Sequence, residues 1–337
     1  MSAPYRIGIV GTGGIAHAHG NAYKSVDEAE IAAVCDINQE SAIHFGDLFD
    51  VPSRYSSLEA MLSEESLDVA IICTWGHTHA EIANTLSRSG QVKAILCEKP
   101  LCKDTAEARE MVGVAETNGV ILAEAFKFRH HPQHLKMKEV IDSGRLGNLH
   151  TIRSTFLAGP VPKENLHPDI NWRFNKIKGG GAFYDLGCYC IHHARFIVGA
   201  EPIKVFAFGY IGPVSEIDEM ASAVLEFPGE MTASINIGFR SCGSQTVEIY
   251  GDKGVLTCDK AWNNENQPVS VEAVFKSGGR ETYNFSPTDQ FALQLRHLFK
   301  CLEDGIPHRI SPQNSIDQMR VIDAMFKSIA TGEAVSP

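Results

Sequence analysis

The chain has no long apolar run. Its strongest apolar stretch, Val69–Cys73, is far too short to cross a bilayer, and Met1–Arg6 lead straight into Ile7–Val10 without the segments of a secretory leader. No run of Lys or Arg occurs either. With 41 acidic against 30 basic residues the net charge is −11, which repels phosphate backbones and anionic membranes. Neither nucleic acid nor a membrane is an expected partner. Nine cysteines, an odd number scattered over 337 residues, do not make a disulfide framework, so reduced thiols and a cytoplasmic location are expected. A G-x-S-x-G elbow, a P-loop, internal repeats and low-complexity segments are all missing. Cys188 and Cys190 point to different faces of one helix, and no second Cys/His pair has zinc-site spacing, so no metal is expected.

What is present is an ordinary globular composition, 44% hydrophobic and 21% charged. At about 150 residues per domain the length suggests two domains. The first third alternates short apolar strands (6–10, 30–36, 68–73, 93–97, 120–125) with helical stretches (15–25, 78–89, 105–118), the pattern of a parallel sheet covered on both faces. Beyond residue 125 the pattern changes. A helix at 133–142 and a strand at 150–156 precede a Pro/Asn/Gly-rich loop, 159–181, and a helix at 182–198. Short alternating runs within 204–285 (204–210, 220–227, 231–237, 245–250, 255–258 and 269–275), punctuated by Gly turns, predict an antiparallel meander closed by helices at 290–303 and 314–331. The predicted domains are 1–125 and 126–337.

Between the first strand and first helix stands Gly11-Thr12-Gly13-Gly14-Ile15-Ala16, the alanine form of the dinucleotide fingerprint. Gly11 permits the tight turn, Gly13 lets a pyrophosphate approach the backbone, and the helix N-terminus offers N–H groups to the phosphates. Asp36 ends the second strand, where an acid binds ribose hydroxyls and repels a 2′-phosphate; with no cation in Ile37-Asn38-Gln39 this favours NAD over NADP. Capping the next helix is the other role open to Asp36.

Glu98-Lys99-Pro100 follows the fourth strand at the edge where ligands of parallel sheets bind. Lys99 either polarises a substrate oxygen there or is a solvated loop residue. In Gly179–Tyr189, Asp185 and Tyr189 lie four apart and share a helix face. A tyrosine beside a lysine suits proton transfer; a half-buried tyrosine anchored by a carboxylate is the alternative.

These segments, with Arg129-His-His-Pro132 and the turn at 250–255, resemble in joint order the glucose–fructose oxidoreductase and inositol dehydrogenase (Gfo/Idh/MocA) family over essentially the whole chain. The resemblance implies an α/β fold: an N-terminal Rossmann domain and a C-terminal α+β domain on a large, mostly antiparallel open sheet. It implies NAD, with NADP possible, and hydride transfer between nicotinamide and a secondary alcohol or ketone of a sugar, cyclitol or derivative. Lys99 matches the family's active-site lysine and Asp185 the aspartate of its second motif. Tyr189, in place of a more usual histidine, is similar to the branch near dihydrodiol and xylose dehydrogenases, where it is the proton donor or acceptor. Thr74, Trp75, His79, Glu98, Trp172 and Arg173 match positions around the cofactor. Lys127, Arg129, Asp185 and Tyr189 are assigned to substrate, although Lys127 stands where relatives carry an apolar residue and either joins Lys99 at the substrate or pairs with Glu124. A homodimer or homotetramer is expected. An NAD-dependent glycosidase and a non-catalytic sugar sensor on the same scaffold are the alternatives.

Overall fold

The computed structural model describes residues 4–337, and the chain divides into two compact units. The first comprises residues up to Lys127 together with Asp289–Ile316; the second comprises Phe128–Thr288 and Asp317–Pro337. The sequence pattern placed the boundary at 125/126 and assigned everything after it to the second domain. In the structure a late segment returns to the first unit.

The first unit is a parallel sheet of six strands: β1 (Tyr5–Val10), β2 (Ala29–Cys35), β3 (Ser53–Tyr55), β4 (Val69–Ile72), β5 (Ala94–Cys97) and β6 (Ile121–Glu124), in the order β3-β2-β1-β4-β5-β6. The last residues of β1 and all of β4 and β5 are buried, as strands covered on both faces require. The helices are α1 (Gly14–Tyr23), α2 (Gln39–Leu48), α3 (Leu58–Glu64), α4 (His79–Ser89) and α5 (Thr105–Thr117). Strand order reverses between β1 and β4, which makes the carboxyl ends of these strands the expected ligand crevice.

The second unit opens with α6 (Pro132–Asp142), β7 (Leu149–Leu157) and α7 (Cys188–Val198). Seven more strands follow: β8 (Lys204–Ile211), β9 (Asp218–Phe227), β10 (Met231–Gly238), β11 (Val247–Gly251), β12 (Gly254–Cys258), β13 (Val269–Phe275) and β14 (Arg280–Phe285). With β7 they form one eight-stranded sheet in the order β14-β13-β12-β11-β7-β10-β9-β8. It is mostly antiparallel but is not a simple meander: β7 is inserted between β11 and β10 and runs parallel to β10. Strand β14 lies within the region of expected alternating runs but was not singled out, because its segment Arg280–Phe285 has few apolar residues.

Two helices close the chain, α8 (Gln290–Asp304) and α9 (Pro312–Thr331). Helix α8 packs on α1. Phe291, Leu295, Leu298 and Phe299 share one core with Ile7, Ile9, Val34 and Phe45, and the Phe299 ring stacks on Tyr5 at 4.2 Å. Among the described residues no helix is long and apolar enough to cross a membrane.

Candidate active site

In the first unit the site begins at the turn after β1. Gly11 adopts φ +88°, and a Cβ there would lie 2.9 Å from the Cys73 carbonyl, so this turn requires glycine. Gly13 caps α1. The helix start has no side-chain cap and no acid in its first turn, and a Cβ on Gly13 or Gly14 would meet nothing within 4 Å. The first-turn backbone N–H groups thus have no side-chain cap and the helix dipole lies behind them, which suits a pyrophosphate.

Asp36 follows β2 and is tied to that turn. Its Oδ2 accepts from the Thr12 N–H (2.8 Å) and Thr12 Oγ1 (2.9 Å), and its Oδ1 from the Asn38 N–H (2.8 Å). The cap of α2 is Asn38, whose side chain accepts from Glu40 and Ser41, so capping does not account for Asp36. Ile37 beside it is 95% exposed, an apolar side chain held in the open at the ribose end of the fingerprint.

At the ends of β4 and β5, the Thr78 hydroxyl donates to Thr74 Oγ1 at 2.8 Å, and Trp75 is partly exposed. His79 was expected to line the cofactor. It is instead buried, its ring nitrogens lying 3.1–3.2 Å from the carbonyl oxygens of Thr74, Pro100 and Leu101, where it ties the β4 turn to the Lys99–Pro100 loop. Burial pushes its pKa down.

Glu98 and Lys127 are buried next to Lys99. Lys127 lies over the Phe291 ring at 4.8 Å, and burial lowers its pKa to about 7, with Lys99 adding to the effect while Glu98 and Asp289 oppose it. Glu124 accepts from the Leu101 N–H at 2.9 Å.

In the second unit Asp185 does not start a regular α-helix as the spacing predicted. Phe183–Gly187 form a π-helical turn that runs into α7, a widening often found at functional sites. Asp185 Oδ2 accepts from Arg173 Nε at 2.7 Å, and the Arg173 guanidinium covers the Trp172 ring at 4.8 Å. A Cβ at Gly180 would lie 2.5 Å from the Arg173 carbonyl, so the glycine run is what lets the Trp172–Arg173 segment close over the helix start. The N-terminus of that helix is held by Asp218, a residue without any local motif, whose Oδ2 accepts from the Phe183 N–H at 2.7 Å. Burial raises the Asp218 pKa to about 7 against the pull of these N–H groups.

Tyr189 packs among Phe156, Phe128 and Trp262, with ring centroids at 5.4, 5.9 and 5.9 Å. His193, on the same helix face, is fully buried between His134 and Trp262. Arg129, expected at the substrate, turns inward. Its Nη1 lies 2.8 Å from His192 Nε2 and its guanidinium stacks on Phe196 at 3.9 Å, so it braces α7. Among the described residues no group of three His, Cys, Asp or Glu could hold a metal ion.

A bare helix N-terminus at the switch point of a 3-2-1-4-5-6 sheet, with a carboxylate locked at the end of β2, defines an NAD-binding Rossmann unit. The family model for oxidoreductases with an NAD-binding Rossmann fold matches residues 5–126, and that for the GFO/IDH/MocA C-terminal domain matches residues 134–257. D-xylose 1-dehydrogenase (NADP(+)) 2 of Haloferax volcanii is 30% identical over 332 residues, covering 97% of this chain and 98% of that protein. Mouse trans-1,2-dihydrobenzene-1,2-diol dehydrogenase is 29% identical, covering 89% of each chain. Among solved structures, a 3-ketoreductase from Actinomadura kijaniata, crystallised with NADP and TDP-benzene, superposes with a TM-score of 0.87 at 25% identity, covering 96% of this chain and 98% of that one. The chain belongs to the GFO/IDH/MocA family and is an NAD(P)-dependent oxidoreductase. The glycosidase and sensor alternatives are not favoured.

Proposed function

We propose that the enzyme oxidises a secondary alcohol of a sugar, cyclitol or close derivative to the ketone, or runs the reverse reduction, with NAD as the preferred cofactor. The observation that carries the cofactor preference is the Asp36 carboxylate, anchored by Thr12 and Asn38 where a 2′-phosphate would otherwise sit. The sugar-like substrate is supported by the relatives, which include the xylose dehydrogenase and a myo-inositol 2-dehydrogenase.

Bound NAD supplies the hydride acceptor. The N–H groups at the start of α1 hold its phosphates and Asp36 its ribose. Thr74 and Trp75 stand at the carboxyl end of β4, and Trp172 and Arg173 close over the start of α7. Lys99 hydrogen-bonds the reacting oxygen and stabilises negative charge on it. Tyr189 takes the hydroxyl proton during oxidation and returns it during reduction. Asp185 orients neighbouring hydroxyls while Arg173 fixes its rotamer. In oxidation the hydroxyl proton leaves through Tyr189 to solvent, and bound NAD would take up the hydride.

We further assign the chain to a cytoplasmic homodimer or homotetramer. The free thiols support the compartment, since all nine cysteines are unbridged. Association is supported by the outward face of β8 and β9, where Phe206, Phe208, Tyr210 and Val224 are exposed.

The test is the absorbance of reduced nicotinamide with a panel of sugars, cyclitols and uronates, NAD and NADP in parallel. Turnover of one substrate with NAD is expected; silence across the panel with tight NAD binding would overturn the dehydrogenase assignment. Tyr189→Phe is expected to lower kcat by about 10²–10⁴-fold while cofactor binding persists. Lys99→Ala should lose activity more completely. Full activity in either variant removes that residue from the mechanism.

A further inference from the structure

Behind the Lys99 loop, Tyr23, His19 and Glu98 form a continuous buried chain. Tyr23 and His19 sit one turn apart on α1. The His19 ring bridges from Nδ1, 2.6 Å from the Tyr23 hydroxyl, to Nε2, 2.8 Å from Glu98 Oε1. All three residues are nearly inaccessible, and His19 is fully so. A carboxylate only accepts hydrogen bonds, so Nε2 carries the proton and donates it to Glu98. The Tyr23 phenol, kept protonated by burial, donates to Nδ1. Both ring nitrogens are thus used by one tautomer.

Burial acts to raise the Glu98 pKa, yet it lies below the ordinary value. The His19 hydrogen bond, then the charges of Lys99 and Lys127, outweigh desolvation. The other Glu98 oxygen, Oε2, lies 3.3 Å from the Lys99 backbone nitrogen, so this carboxylate is oriented by His19 on one side and by the lysine's own peptide on the other. Other ionisable groups that feel Glu98 are Cys73, just after β4, Cys97 of β5 and His79 of α4. Burial keeps the two thiols protonated and holds the imidazole pKa down. Asp289, capping α8, acts on Tyr23 and Lys127. The cationic side chains facing Glu98 are therefore the two lysines, while the neutral His19 ring donates its Nε2–H from the other side. An ammonium working in a water-poor cleft needs such a fixed opposite charge.

We infer that His19 is a positioning residue for Lys99: its imidazole orients Glu98 and keeps it available as counter-ion of the Lys99 ammonium, while itself touching neither cofactor nor substrate. This deepens the function proposed above and rests on Lys99 being the group that polarises the reacting oxygen.

The experiment labels the lysines of the full chain by reductive ¹³C-methylation. The Lys99 signal, identified by its loss in Lys99→Arg, is then followed through a pH titration by NMR. In His19→Leu its midpoint is expected to fall by about one pH unit or more. In His19→Gln, which keeps an N–H for Glu98, the midpoint should stay near that of the unsubstituted chain. A Lys99 signal that does not move in His19→Leu overturns the assignment, as does an equal shift in both variants. Should His19→Leu fail to fold, Tyr23→Phe is titrated instead. A smaller fall in the same direction supports the role and no change overturns it. Turnover is measured alongside, with kcat expected to fall about 10-fold in His19→Leu at unchanged KM for NAD. If the unsubstituted enzyme oxidises none of the sugars, the substrate proposal fails, while the titration still decides the role of His19.

Discussion

At the scale of single residues, the buried Lys127 ammonium is a costly group. It lies over Phe291, and desolvation brings its pKa down to about 7 despite Glu98 and Asp289. An unfolded lysine holds its proton to about pH 10.4. Between pH 7 and that value the folded chain binds fewer protons than the unfolded one, so stability rises with pH across this window. The burial cost is complete below pH 7. Lys127→Met is therefore expected to stabilise the chain by about 1–4 kcal/mol at pH 6, with the gain shrinking toward pH 10. Thermal melts of both chains over that range check this, and a gain independent of pH would rule out charge burial as its cause. Gly11, Gly13 and Asp36 were singled out because the fingerprint has a fixed spacing in sequence. His19 was not, since its carboxylate partner is 79 residues away. Arg129 and His79 were recognised as chemically capable, but spacing says nothing about whether a side chain turns toward a ligand or toward the core.

At the scale of elements, the start of α7 shows how one distant strand sets local geometry. Apolar periodicity predicted the helix but not its widened first turn, because nothing in the run 182–198 names the acceptor that receives its free N–H groups. That acceptor, Asp218, opens β9, and its pKa is raised by burial to about 7, whereas an unfolded aspartate titrates near 3.9. The folded chain thus binds an extra proton between these values. The contribution of Asp218 to stability is fully present below about pH 4 and is lost as pH rises through 7, a swing on the order of 3–4 kcal/mol. Asp218→Asn keeps an oxygen for the Phe183 N–H and removes the titration. It should flatten the stability profile between pH 4 and 7, as measured by urea unfolding at several pH values. An unchanged slope would mean that other groups carry it. The parallel insertion of β7 was illegible for a related reason, since strand order is a property of pairing and not of any one strand's composition.

At the scale of the molecule, the two-part organisation was readable from the change of pattern near residue 125, but the return of α8 to the first unit was not. An amphipathic helix shows that it has an apolar face without showing what that face covers. Because Phe291, Leu295, Leu298 and Phe299 complete the core around β1 and α1, a fragment ending at residue 125 is expected to be unfolded or aggregated and to bind no NADH. Fusing residues 289–316 to it through a flexible linker should restore a cooperative melt. Circular dichroism and NADH fluorescence check both, and a well-folded 1–125 fragment would refute the expectation. On the open sheet, Phe208→Glu places a charge where a 74% exposed aromatic now stands. If that face joins subunits, sedimentation should show smaller particles at unchanged secondary structure; an unaltered particle size would exclude it.

The late return of α8 also imposes an order of events on biosynthesis. The strands β1–β6 leave the ribosome first, but the helix that seals their core follows only after residues 128–288 have been made. At about 5–20 residues per second the nascent cofactor-binding half waits roughly 10–30 s with an uncovered apolar seam. During that interval it is a client for chaperones, and slow codons within 128–288 would lengthen its exposure without altering a single amino acid.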